Sequence, residues 1–314
     1  MLRGVALKVA ATLAFALMSA LIKLASARFP VGEVVLFRSL FALVLLSAFL
    51  AWRGEFPAAL STRRPLGHIG RSLAGTGGMY ANFVALALLP LADATAFTFV
   101  TPLMVVPLAA ILLGEAVRPY RWGAVGAGFV GVTIMLSDRL GAASDARAVG
   151  SGVALAGALF SAVAMIQTRR LTKSEATGAI VFYFSSVTAS VAALSLAAAA
   201  LWPSGAPGAG WIATQRFVWP DAGEAVGLAA IGLLGGAGQI LMTHSYRYAD
   251  ASIVAAFDYV AMIWASALGY VMFSETPTPR VLIGAGVVAG AGVYVVWRVR
   301  RAARAPAMKA LTAG

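Results

Sequence analysis

Between Asp93 and Glu115 the chain carries no charge, and stretches of the same kind return along all of its 314 residues. Each apolar run is about 20 residues long, the length a helix needs to cross a bilayer. Only 11% of the residues are charged, against 61% hydrophobic. A soluble domain carries about 25% charged residues, and so few could not cover a core this apolar. The chain is therefore read as an all-α polytopic membrane protein. Cysteine is absent, which removes disulfides, thiolate metal sites and a cysteine nucleophile. A formal net charge of +12 would suit a nucleic-acid binder. The basic residues, however, sit in short connections, where they set membrane orientation, so no nucleic-acid partner is expected.

The uncharged stretch also has a twin. Leu91 to Glu115 reads LADATAFTFVTPLMVVPLAAILLGE, and Tyr248 to Glu275 reads YADASIVAAFDYVAMIWASALGYVMFSE. Asp93 answers to Asp250 and Glu115 to Glu275, and each copy is followed by a proline, Pro119 or Pro279, and a Gly-rich apolar run. Self-similarity at half the chain length is an internal duplication. Duplicated membrane helices point to a transporter with its site at the repeat interface. The N-terminal run imitates a signal peptide, with Ala25-Ser26-Ala27 as a cleavage-like site. Lys23 interrupts it, and Gly4-Val5-Ala6-Leu7 recurs as Gly152-Val153-Ala154-Leu155, so it is read as part of the repeat.

The pattern predicts ten helices: 4–26, 31–52, 69–89, 91–113 and 120–137, then 150–168, 177–201, 224–246, 250–273 and 280–298. Five plus five is an odd repeat, so the halves must enter the membrane in opposite senses. The expected units are a first repeat over 1–147, a second over 148–298 and a basic tail over 299–314. With the N-terminus inside, seventeen of the 24 Lys and Arg residues fall on the inside and five (Arg28, Arg139, Arg147, Arg216, Arg280) on the outside. That asymmetry places both termini in the cytoplasm and the 202–223 loop outside. Small residues four apart (Ala124/Gly128, Gly232/Gly236, Gly286/Gly290) let helix backbones approach closely in lipid, within the chain or across a dimer.

Charges inside a membrane helix are expensive and mark candidate sites. Lys23 lies near the outer end of helix 1, where its stem can snorkel, and Arg38 lies about 10 Å deep in helix 2. Asp258 lies in helix 9 with no basic residue three or four positions away, and it has no charged counterpart in the first repeat. It reads as a proton-carrying or amine-binding group, or as the partner of an arginine on another helix. Asp93 and Asp250 are expected to cap helix starts, and Glu115 and Glu275 to form gate ion pairs. Tyr80, Asn82, Tyr183, Gln239, Tyr259 and Trp264 are polar or aromatic side chains that could line a cavity or simply pack. Pro102 and Pro107 are candidate kinks or hinges. His68 and His244 lack a metal-ligand partner at i+4, and no metal or cofactor is expected. The sequence holds no HExxH, GxSxG or nucleotide loop, so catalysis and ATP-driven pumping are not expected.

The phrases Phe37-Arg38, Arg71, Leu91-Ala92-Asp93-Ala94-Thr95, Thr101-Pro102-Leu103, Gly114-Glu115 and Arg121-Trp122 stand in order in the first half. Gly128-Phe129-Val130-Gly131-Val132 completes them. Ala249-Asp250-Ala251, Trp264 and Phe273-Ser274-Glu275-Thr276-Pro277 follow in the second half. In these the chain resembles the EamA family of the drug/metabolite transporter superfamily, from about Gly4 to Trp297. The resemblance implies ten transmembrane helices in two inverted five-helix repeats around a central cavity. It also implies alternating-access transport of a small metabolite, either export of amino acids and related compounds or uptake of riboflavin or S-adenosylmethionine.

The expectation from the sequence is thus a secondary transporter of the cytoplasmic (inner) membrane, a monomer or homodimer, coupled to a proton or a counter-substrate. Embedded charges need partners. A zwitterion would offer a carboxylate to Arg38, whose planar fork makes two parallel bonds. It would offer an amine to Asp258, flanked by Tyr259 or Trp264. Export of an amino acid or an amino-acid-derived metabolite, metallophores included, is therefore favoured over cofactor uptake. A membrane scaffold or a membrane enzyme is the least favoured reading.

Overall fold

The computed structural model of the chain describes residues 2–57, 60–114, 119–137, 146–172, 174–203, 215–248 and 257–311. Every regular element among them is helical. The helices are α1 (Leu2–Ala25), α2 (Val31–Trp52), α3 (Pro65–Leu88), α4 (Leu91–Thr98), α5 (Thr101–Leu113) and α6 (Pro119–Leu136). There follow α7 (Ala146–Leu171), α8 (Thr177–Leu201), α9 (Ala222–Tyr248), α10 (Val260–Phe273) and α11 (Pro279–Leu311), with one 3-10 turn, Phe257–Tyr259, before α10. Proline marks the starts, at Pro30 and Pro90 as N-caps and at Pro65, Pro119 and Pro279 as first helical residues. Its missing donor costs nothing there.

The predicted helix 91–113 is broken. α4 closes at Thr98 and α5 opens at Thr101, with Pro102 in its first turn. A proline ring clashes with the carbonyl four residues back, here Thr98, and the break falls between that carbonyl and Pro102. Among the described residues, six stretches are long and apolar enough to cross a membrane, and Leu91–Leu112, taken across that break, is one of them. Three more apolar helices are shorter. α3 qualifies as neither, because it carries His68, Arg71, Ser72, Thr76, Tyr80 and Asn82. Several of them meet α7 and α8: Arg71 bonds Thr168, Thr76 bonds Thr188 and Tyr80 bonds Ser195.

The packing maps onto itself when the halves are exchanged. α3 lies on α7 as α9 lies on α1, and α2 lies on α9 as α8 lies on α3. α2 with α8, α6 with α11 and α4 with α10 are pairs across the exchange. The closest crossing is α6 on α11. A Cβ at Gly131 would lie 2.7 Å from the Gly284 carbonyl oxygen, and one at Gly284 would lie 2.4 Å from that of Gly131. Gly232 and Gly236 pack inward on α2, whereas Gly286 and Gly290 face open space. Leu40, Val44, Ile111, Phe129, Leu194 and Val271 point outward and exposed, an apolar belt suited to lipid.

The buried core is uneven. Its largest cluster, with Ile22, Phe29, Val34, Phe83, Leu89, Leu91 and Leu228, closes the end of the bundle opposite the start of α1. This far end is also tied by ion pairs and loop contacts. Arg28 pairs with Glu224, and Glu33 Oε2 accepts the Val218 N–H at 2.9 Å. The end that carries the start of α1 is open.

Candidate functional site

Three neighbouring cavities with shared lining residues lie between that open end and the middle of the bundle. The vestibule, about 310 Å³, reaches from Arg53, Glu55 and His244 at the mouth to Arg38 and Arg71 at its depth. A second cavity of similar size shares Arg38 and Phe184 with it. The largest, about 770 Å³, shares Gln239 with the vestibule and carries Asn82, Pro102, Thr12 and Asp258 on its wall. Arg38 therefore stands at the boundary between the vestibule and the inner space. These volumes suit a small metabolite.

The embedded charges fall into two kinds. Some are neutralised by the protein. Asp258, in the 3-10 turn before α10, pairs with Lys8 of α1 at 2.5 Å, with the lysine side chain 2% and the aspartate 48% exposed. Lys23 lies away from the cavities. Its Nζ is 3.1 Å from Glu275 Oε1 and donates to the Leu89 and Leu86 carbonyls at 2.5 and 3.3 Å. Glu275 Oε2 in turn accepts the Leu91 N–H at 2.9 Å, an orphan donor at the start of α4. The backbone aims Glu275 there by ending α10 on Ser274, whose φ of 53° is left-handed. One lysine and one glutamate thus join α1, the α3–α4 corner and the end of α10 at the far end.

Arg38 and Arg71 are the other kind. Arg38 of α2 lies against Gly235 of α9, where a Cβ would sit 3.3 Å from its Nε. That Nε is buried and has no acceptor among the described residues. Arg71 of α3 donates from Nε to Thr168 Oγ1 at 3.0 Å and stacks over the Phe184 ring at 4.2 Å, yet its buried Nη1 likewise has no acceptor.

The remaining sequence candidates are dispersed. Asn82 and Gln239 reach the cavities. Tyr80 bonds Ser195 Oγ at 3.1 Å and packs in the far-end core. Tyr183 donates to the Leu60 carbonyl at 3.1 Å. Trp264 Nε1 is buried without an acceptor among the described residues. Pro102 lines the large cavity beside the α4–α5 break, and Pro107 lies within α5, which continues through it. Asp93 stands buried in the first turn of α4, where negative charge is favourable. Glu115, Asp250 and the side chain of Tyr259 lie outside the described residues.

Sequence reasoning missed Arg71, Phe184 and Lys8 as cavity or pairing residues. The expected start of helix 3 at 69 puts Arg71 at the head of the helix rather than inside it. α3 starts at Pro65, which puts Arg71 roughly 9 Å into the helix at 1.5 Å per residue. Pro65 was the available signal, as a first-position proline.

It also missed a clamp at the open end. Glu175, between α7 and α8, takes the Arg63 N–H on Oε1 at 3.1 Å and faces His68 Nε2 from Oε2 at 3.3 Å. The His68 ring lies 4.7 Å from that of Tyr183. Burial pushes the Glu175 carboxyl up, but hydrogen bonds from Thr62, His68 and the Arg63 backbone outweigh it and hold the group below the usual carboxylate range.

The model of the EamA-like transporter family matches the chain twice, over residues 2–137 and 148–298. The chain is 30% identical to the pseudopaline exporter CntI of Pseudomonas aeruginosa, over 90% of this chain and 91% of the relative. It is 28% identical to the S-adenosylmethionine uptake transporter of Rickettsia bellii, over 86% and 85%. It is 29% identical to the riboflavin transporter of Rhizobium johnstonii, over 89% and 85%. A solved crystal structure 22% identical in sequence superimposes with a TM-score of 0.62 over 95% of this chain and 98% of its own, a likeness of fold.

Proposed function

This chain belongs to the EamA-like transporter family, and from that premise we propose that it exports an amino acid or an amino-acid-derived metabolite across the cytoplasmic membrane by alternating access. The observation that carries the reading is Arg38. A guanidinium at the inner wall of the vestibule, with a buried Nε and no acceptor among the described residues, needs an anion, and a substrate carboxylate supplies one. The charge asymmetry of the connections supports a cytoplasmic position for both termini. The open vestibule is then the loading side of an exporter, and the Lys23–Glu275 tie is the closed outer gate. With no nucleotide loop in the sequence, the driving force is an ion gradient or exchange. In this reading Asp258, which borders the large cavity while its partner Lys8 is buried, takes part in the coupling.

Two of the relatives are named for uptake or for riboflavin, so import is the competing reading. Metabolite profiling of cells with and without the gene separates the two. A compound that accumulates in the deletion strain and disappears from its medium supports export. A compound that stays in the medium of the deletion strain supports import. Arg38→Lys, at equal membrane abundance, is expected to lower flux at least tenfold, because an ammonium cannot make the paired bonds of the guanidinium. Flux equal to that of the parent would remove Arg38 from the site.

A further inference from the structure

The vestibule holds a second unsatisfied cation. We infer that Arg71 joins Arg38 in a two-point anion site, so that the transported molecule carries two separated anionic groups. This deepens the export reading and rests on it.

The built geometry around Arg71 supports a binding role. The Nε bond to Thr168 and the stack on Phe184 fix the plane of the guanidinium. Gly75 makes room for that stack, since a Cβ there would lie 2.7 Å from Phe184 Cε2. A guanidinium positioned from one side and face leaves its remaining donors to a ligand. Arg38 and Arg71 line the same vestibule. Two like charges in one cavity, partly out of water, are unfavourable until an anion joins them.

Among the described residues, the carboxylates that line the cavities do not supply that anion. Of the described residues lining the three cavities, the only acids are Glu55 and Asp258. Glu55 is bonded by Arg53 Nε at 2.7 Å, and Asp258 is paired with Lys8. The same pairing fills the place the sequence reading gave to a substrate amine. The two arginines share the vestibule but differ in what else they border. Arg71 lines the vestibule alone, whereas Arg38 also borders the second cavity. A ligand that reaches both therefore presents two groups rather than one.

The test uses full-length protein in detergent and measures thermal stabilisation by acetate and by the straight-chain dicarboxylates from malonate to adipate, at fixed ionic strength. At least one dicarboxylate is expected to bind about tenfold more tightly than acetate. Arg71→Gln should bring that dicarboxylate to the level of acetate while leaving acetate binding in place, which also reports that the variant is folded. Arg71→Lys should recover part of the difference. If no dicarboxylate exceeds acetate, a single carboxylate satisfies both arginines and the inference is overturned. An unchanged dicarboxylate preference in Arg71→Gln overturns it as well. Counterflow in proteoliposomes separates this from the transport reading. Preferential binding without flux sinks transport and leaves the site, and equal flux of mono- and dicarboxylates does the reverse.

Discussion

Replacing Glu275 should open the far end of the bundle. Its carboxylate does two things: it neutralises Lys23 at 3.1 Å and accepts the Leu91 N–H at 2.9 Å. An exposed ion pair is worth about 0.5 kcal/mol, and breaking a buried one costs about 4 kcal/mol. With side chains 13% and 24% exposed, this pair falls between, at about 2 kcal/mol. The lost acceptor at Leu91 adds about 1 kcal/mol. Glu275→Ala should therefore shift the closed-to-open equilibrium by about 3 kcal/mol, on the order of a hundredfold. Glu275→Gln keeps an oxygen for Leu91 and should shift it by about 2 kcal/mol, roughly thirtyfold. The chain contains no cysteine, so Ser19→Cys, on the wall of the inner cavities, would be its only thiol. A membrane-impermeant maleimide applied from the far side should label it slowly in the parent, faster in Glu275→Gln and fastest in Glu275→Ala. Equal labelling in all three would refute the gate. Equal labelling in the two variants, both above the parent, would refute the role given to the Leu91 bond.

Other outcomes follow from the same geometry. The Glu175 carboxyl is held below its ordinary range in the folded protein, so its contribution is present above the unfolded value of about 4.3 and is lost as pH falls through the lower folded value. The melting temperature of the parent should exceed that of Glu175→Gln by a constant margin at neutral pH, and the margin should shrink in acid below about pH 4.3. Gly131→Val puts side-chain atoms against the Gly284 carbonyl at 2.7 Å and should destabilise the fold by about 1–3 kcal/mol. Gly290→Ala, with nothing within 4 Å, should leave thermal unfolding unchanged.

Membrane class, helical content and the half-chain echo were legible in the sequence because lipid imposes them locally. A run of about 20 apolar residues must satisfy its own backbone as helix whatever its neighbours are. The break after Thr98 was legible too in principle, since Pro102 acts on a carbonyl only four residues away. What no local rule reaches is which charge meets which. Asp258 shows no basic residue near it in sequence, and its partner Lys8 comes from the opposite end of the chain. Lys23, a candidate site residue whose stem could snorkel, meets Glu275 at the far end, while Arg71, expected at the head of helix 3, lines the vestibule. Tertiary structure decided these because the price of an embedded charge depends on its whole surroundings. The same side chain is a structural tie when the fold brings it a counter-ion, and a binding group when the fold leaves its donors open to a cavity.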